Sequence, residues 1–241
     1  MDSQQFDTET KRRLEKVSVA TICTALFKVG LRNQFIQDVR PLASKGGNMV
    51  GQAYTMRYIP AREDRNPISV FKDPNHPQRV GVEECPPGFV MVIDSRKDPK
   101  AASAGSILVA RLMQRGVAGI VTDGGFRDSP EIASMEIPSF HNRPSAPTNL
   151  TRHEAIELNG PIACGDVAVF PGDVIVGDDE GVVVVPLDIA ADISMEAEQM
   201  TIFEDFVAEQ VAAGQAVIGL YPATKDESQR AFAEWRKKNG R

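Results

Sequence analysis

Apolar residues recur at helical spacing through the opening of the chain, at Leu14, Val17, Ile22, Leu26 and Val29, and the run halts at Gly30. Residues 8–30 are therefore expected to form one helix with a single apolar face. MVGQAYTMRY at 49–58 is rich in strand formers and ends before Pro60, ISVF at 68–71 reads as a short helix or strand, and DPNHPQ reads as a loop with His76 exposed between prolines. The clearest pattern lies between 88 and 124. PPGFVMVID is a turn feeding an apolar strand, Phe89 to Ile93, that ends at Asp94, and the loop SRKDPKAASA follows with three basic residues. ILVARLMQRG then places Leu108, Val109, Leu112 and Met113 on one helical face, with Arg111 and Arg115 off it and Gly116 just past the last turn. VAGIVTDG is a second buried strand. Strand, helix, strand in this order predicts a right-handed parallel crossover whose two strands end on the same edge.

Downstream the period changes. CGDVAVFPGDVIVGDDEGVVVVP is three short valine runs separated by PGD and GDDEG, turn chemistry that predicts antiparallel hairpins. Residues 188–213 and 224–238 return to helical patterning. The sum is a mixed α/β fold, one elaborated domain over residues 1–241, closed by C-terminal helices that pack on the domain or on a neighbouring subunit.

Charge and composition narrow the partners. The 241 residues carry 27 basic and 33 acidic side chains, a net charge of -6 without a long block of either sign, which argues against non-specific nucleic-acid binding. No segment approaches the roughly 18 apolar residues of a membrane span, and the polar opening MDSQQFDTETKRRLEKV has no signal-peptide core. Cys23, Cys85 and Cys164 are odd in number, widely spaced and outside any CxxC pair, so neither a disulfide framework nor a zinc site is indicated. A cytoplasmic protein with reduced thiols is expected.

Candidate chemistry gathers where the crossover strands end. In open α/β sheets ligands sit outside the carboxyl ends of the strands, and that edge should collect Asp94, the helix start at Gly105 and Ser106, and Arg127–Asp128 of TDGGFRD. A helix start offers unpaired N–H groups to an anion, Gly105 leaves that backbone open, and Arg127 can grip a carboxylate through two hydrogen bonds. Asp128 can hold magnesium, which takes one or two protein carboxylates and keeps several waters. By themselves these residues also fit a solvated ion pair, which contributes less than about 1 kcal/mol. Without GxGxxG or GxxxxGK[ST] there is no case for a nucleotide loop. His141 and His153 favour structural roles, GDDEG favours a solvated hairpin over a calcium loop, and Arg143 in the loop RPSAPTN becomes a second carboxylate grip only if it folds back over the sheet edge.

GSILVARLMQRGVAGIVTDGGFRD, with FPGDVIVGDDEGVVVVP downstream, resembles the 4-hydroxy-4-methyl-2-oxoglutarate aldolase / regulator of ribonuclease activity A family over roughly residues 15–210. The resemblance implies a swivelling β/β/α sandwich and a homotrimer or homohexamer with sites at subunit boundaries. For the aldolases it implies a lyase that uses Mg2+ or Mn2+ to cleave a 4-hydroxy-2-oxo acid to pyruvate and also decarboxylates oxaloacetate. Arg127 would then bind substrate, Asp128 the metal, and the backbone after Gly105 (Ser106, Ile107 and Leu108) the pyruvate carboxylate. At one position the chain departs from the pattern: the aldolases carry an acid where this chain has Ser106, so Asp94, Asp123 or Glu131 is expected to substitute, or the chemistry differs. Two rivals stay open, a non-catalytic protein that binds and restrains a ribonuclease, and a sugar-acid aldolase or hydrolyase on the same enolate platform. Retention of Asp128 favours metal and enzyme.

Overall fold

The computed structural model describes residues 7–241. Two helices open it, α1 (Thr8–Leu14) and α2 (Val19–Lys28), where the apolar spacing predicted one. The break is at Ser18, whose hydroxyl accepts the Thr21 N–H at 3.1 Å, and Asn48 Nδ2 donates to the carbonyls of Leu14 and Val17 at 2.9 and 2.6 Å. These are the bonds a helix end needs when its own ladder stops. Apolar spacing continues through the break because Leu14, Val17, Ile22 and Leu26 all enter one buried cluster.

The strands and helices that follow are β1 (Arg40–Pro41), β2 (Met49–Pro60), α3 (Pro77–Glu84), β3 (Val90–Asp94), β4 (Ala102–Ala104), α4 (Ser106–Gln114), β5 (Gly119–Thr122), β6 (Gly125–Phe126), α5 (Ser129–Ser134), β7 (Ser139–His141) and β8 (Arg143–Pro144). Then come β9 (His153–Leu158), β10 (Ile162–Cys164), β11 (Val167–Val169), β12 (Val174–Gly177), β13 (Val182–Val185), α6 (Ala190–Ala212) and α7 (Asp226–Asn239). The main sheet runs β1-β7-β5-β3-β2-β12-β13, with β9 pairing the later part of β2. Strands β2, β3, β5 and β7 are parallel, and β1, β9, β12 and β13 join antiparallel. The predicted crossover is present as β3-α4-β5. All five residues of β3 and all four of β5 are buried, as expected of strands covered on both faces.

The valine runs pair differently from the expectation at one turn. GDDEG joins the hairpin β12–β13 as predicted, but PGD joins no pair. Gly165 and Asp166, both at positive φ (53° and 65°), close β10 onto β11, and at PGD the chain docks on β2 instead, with Gly172 N–H to Ala53 O at 2.9 Å and Ala53 N–H to Asp173 O at 2.8 Å.

A second sheet positions the site. After leaving β3, β5 and β7 the chain soon adds β4, β6 and β8, a small parallel sheet in the order β4-β6-β8 beyond the carboxyl edge of the main one. Buried hydroxyls tie the two together: Ser103 Oγ lies 2.7 Å from Ser95 Oγ and 2.6 Å from Thr122 Oγ1, which accepts the Gly124 N–H at 3.0 Å. A Cβ on Gly124 would come within 2.6 Å of Ser103 Oγ, so only glycine fits there. At the far end α6 and α7 pack through Phe203, Phe206, Phe232 and Trp235.

Candidate functional site

The register of the small sheet explains why residues 105 and 127 meet. Ala104 pairs with Phe126, and the Arg127 N–H donates to Ala104 O at 3.1 Å, so the residue just past β4, Gly105, lies beside Arg127. The approach is too close for a side chain: a Cβ on Gly105 would stand 2.8 Å from Arg127 Cγ and 3.0 Å from Asp128 Oδ2. Asp128 follows in the left-handed region (φ 56°, ψ 32°), which costs a non-glycine residue on the order of 1–2 kcal/mol. That turn directs its carboxylate at the start of α4, where Oδ2 accepts the Ser106 N–H at 3.3 Å and Ser106 Oγ–H at 3.4 Å. Arg127 Nε stands 3.6 Å from the same oxygen, with both side chains substantially exposed.

These groups line a cavity of about 460 Å3. Gly105, Ile107, Leu108, Arg127 and Asp128 form one wall; Ile68, Phe71, Gln78 and Arg79 form another; Ala102, Ala104, Thr148 and Asn149 complete it. Five of the six residues singled out from sequence therefore face one space. Ser106 is buried behind it and reaches it only through Asp128. Arg143 is exposed on β8 and is not among the lining residues, so it is no second grip in this chain.

None of the acids expected to replace the one missing at position 106 faces the cavity, and two of them are engaged elsewhere. Asp123 accepts the N–H groups of Ser95, Lys97 and Gly165 at 2.6, 3.0 and 3.3 Å, and burial pushes its carboxyl up to about 6 against those bonds. Asp94 accepts from the Arg96 and Ala163 N–H groups, and its carboxyl is also raised, chiefly by burial. Glu131 is exposed on α5, and none of the three lines the cavity. His76 also departs from its expected place. It is buried, not exposed, because Pro77 starts α3 and the ring packs edge-on against Phe71 at 5.2 Å. His141 stacks on Phe126 and burial lowers its pKa to about 4, while His153 stacks on Tyr58 and meets Asp98 O at 3.0 Å; both are structural.

Among the described residues Asp128 is the only carboxylate lining the cavity, and no three His, Cys, Asp or Glu side chains cluster as metal ligands. That donor set does not suit a closed zinc site. It suits magnesium or manganese, which are held by one or two carboxylates and complete their shell with water and substrate oxygens.

Two cavity groups carry no clear mark in the sequence. Arg79 lies on α3, with its guanidinium 4.6 Å from the Phe71 ring centre, and forms no ion pair among the described residues. Asn149 is 5% exposed, with Oδ1 accepting from Thr148 Oγ1 at 3.2 Å and Nδ2 buried without a partner. An orphaned donor of this kind costs about 1–3 kcal/mol. The faint signals are Pro77 as a first helical residue and the polar end of RPSAPTN.

The family model RraA-like, described as Aldolase/RraA, matches residues 19–184. The chain belongs to the RraA-like family. A relative from Halalkalibacterium halodurans, provisionally named a 4-hydroxy-4-methyl-2-oxoglutarate aldolase, is 31% identical over 186 residues, covering 77% of this chain and 80% of that protein. Protein DlpA of Legionella pneumophila is 26% identical over 86% of this chain, which spans only 32% of DlpA. Streptomyces coelicolor RraAS2, described as an unusual member of the RNase ES inhibitor RraA family, superposes with a TM-score of 0.74 at 30% identity, covering 84% of this chain and 97% of that one. The fold is thus RraA-like, in a family whose members carry both aldolase and ribonuclease-inhibitor names. Among the described residues no helix is long and apolar enough to cross a membrane.

Proposed function

We propose that this RraA-like protein is a divalent-metal-dependent lyase that releases pyruvate from a small 2-oxo acid. The observation that carries the reading is the Gly105–Arg127–Asp128 junction, where a guanidinium fork, a carboxylate and a helix start share one cavity. Arg127 grips the carboxylate beside the ketone, and the positive end of α4 favours the same anion. Asp128, its Oδ2 kept in place by Ser106, is the residue that would hold Mg2+ or Mn2+. A cation held there would supply Lewis acidity to the 2-oxo group. As the bond beyond C3 breaks, its electrons pass toward the oxo oxygen, and Arg127 stands where that charge develops. Ile68, Phe71 and Leu108 make that part of the wall apolar and limit water around the breaking bond.

Between the two reactions open to such a site, decarboxylation asks less of this chain. Loss of CO2 from oxaloacetate needs no base to break the bond, only a proton from water afterwards. Aldol cleavage of 4-hydroxy-4-methyl-2-oxoglutarate needs a base for the C4 hydroxyl, and among the described residues no His, Lys, Glu, Tyr or Cys lines the cavity. A second subunit across the mouth, in a homotrimer or homohexamer, is where that base would come from. Ile107 and Ile68, 83% and 71% exposed, give such a subunit an apolar rim to cover.

A ribonuclease-binding role is the second reading, favoured by the naming of the Streptomyces relative and by Ser106 in place of an acid. Pyruvate release from both substrates separates the two readings. The lyase reading expects turnover that disappears after metal-free dialysis with EDTA and returns with Mg2+ or Mn2+. Absence of turnover on either substrate with metal supplied, or turnover indifferent to EDTA, would overturn it.

A further inference from the structure

We infer that Arg79 and Asn149 form the subsite that holds the second carboxylate of the 2-oxo diacids named above, and so set the cavity's preference for them over 2-oxo monoacids; this rests on the reading of Arg127 as the grip for the first carboxylate. Three observations lead there. The cavity holds two guanidinium groups, Arg79 and Arg127, against one carboxylate, Asp128, an excess of positive charge that a cation would increase. A singly charged oxo acid leaves that excess unmatched.

Arg79 is half-buried yet forms no ion pair or side-chain hydrogen bond among the described residues; its guanidinium is steadied over the Phe71 ring at 4.6 Å. A fork held by an aromatic face with its N–H groups uncommitted is ready for a carboxylate. Asn149 lines the same cavity from a segment 70 residues further along the chain, and its amide has an acceptor matched and a donor unmatched. That Nδ2 is covered by its neighbours, but the terminal torsion of an asparagine turns easily, and a carboxylate oxygen would supply the acceptor it lacks. Gln78 does not compete for this role, because its Nε2 is committed to Tyr58 Oη and Ser103 O at 3.0 and 2.9 Å.

The test compares 2-oxoglutarate with 2-oxopentanoate, which differ only in a carboxylate replacing the terminal methyl. Calorimetry on the full chain with magnesium chloride present should find the diacid bound at least about tenfold tighter. Arg79→Gln should weaken the diacid at least about tenfold more than the monoacid, Arg79→Lys should recover only part of that difference because the ammonium has no fork, and Asn149→Leu should reduce it. Arg143→Gln, on exposed β8, controls for bulk charge and should leave the selectivity in place. Equal binding of the two acids by wild type, or equal loss of both in Arg79→Gln, would overturn the subsite while leaving Arg127 untouched. Failure of wild type to bind either acid, or full binding of both by Arg127→Gln, would instead overturn the reading of the Arg127 grip on which the subsite rests.

Discussion

The tips of the two sheets carry aspartates that look alike in sequence and differ in environment. Asp94 and Asp123, where the main sheet ends, are buried and committed to five backbone N–H groups between them, which tie the loop after β3 and the β10–β11 hairpin to the sheet. Asp128, where the small sheet ends, is 39% exposed, its carboxylate meets only Ser106 and Arg127 among the described residues, and it opens on a cavity. A buried acid surrounded by backbone donors is part of the fold. An exposed acid held in a left-handed turn beside an arginine is available to a ligand.

Reciprocal substitutions break this comparison most strongly. Asp123→Ala orphans three buried N–H groups and should cost about 3 kcal/mol or more in urea unfolding. Asp128→Asn keeps a residue that tolerates the left-handed turn, so its melting temperature should stay within about 2 °C of wild type, while kcat/KM for pyruvate release falls at least about a hundredfold. If Asp128→Asn unfolds the protein or keeps its activity, the contrast fails.

A pH experiment probes the main-sheet edge. His141 titrates at about 4 in the fold against 6.5 when free, so the fold excludes its proton, and the stability this implies is present above pH 6.5 and lost as pH falls toward 4. Asp123 has the opposite sign: its raised carboxyl, at about 6, favours the fold below pH 4, and that preference is lost as pH rises through 6. The two partly cancel in wild type. His141→Phe keeps a ring against Phe126 and removes one of them, so between pH 7 and pH 5 it should lose about 2 kcal/mol less unfolding free energy than wild type does.

Smaller effects sharpen the site's side. Gly105→Ala pushes a methyl into Arg127 and Asp128 and should lower kcat/KM at least about tenfold, since a displacement of about 1 Å is costly to a reacting geometry. Its melting temperature should fall by only a few degrees, because the atoms displaced are exposed side chains. Ser106→Asp brings a second carboxylate beside Asp128 and should raise Mn2+ affinity several-fold by titration calorimetry, at a helix start where negative charge is tolerated. Unchanged affinity would mean that position 106 does not reach the metal.

Much of this architecture is legible in the residues themselves. The β3-α4-β5 unit and the nearness of Gly105 to Arg127–Asp128 follow from one long apolar pattern between 88 and 124, with glycines where helix and strands end. Strands β4, β6 and β8 escape such a reading because two or three residues carry no period, yet it is their register, Ala104 opposite Phe126, that sets the site. The α1–α2 break is masked because the apolar spacing stays in phase across Ser18. Arg79 and Asn149 are hidden for a different reason. Their partners in the cavity lie far along the chain, and a proline-flanked segment that reads as loop gives no reason to place Arg79 on a helix.

The central claim is that a divalent cation and a 2-oxo acid meet at the Arg127–Asp128 tip and not at the main-sheet aspartates. Crystals grown with Mn2+ and pyruvate, measured at a wavelength where manganese scatters anomalously, test it directly. The expected result is a peak at roughly 2.0–2.2 Å from an Asp128 carboxylate oxygen, with the pyruvate carboxylate on Arg127. A peak at Asp94 or Asp123, or pyruvate bound without metal away from Arg127, would contradict it.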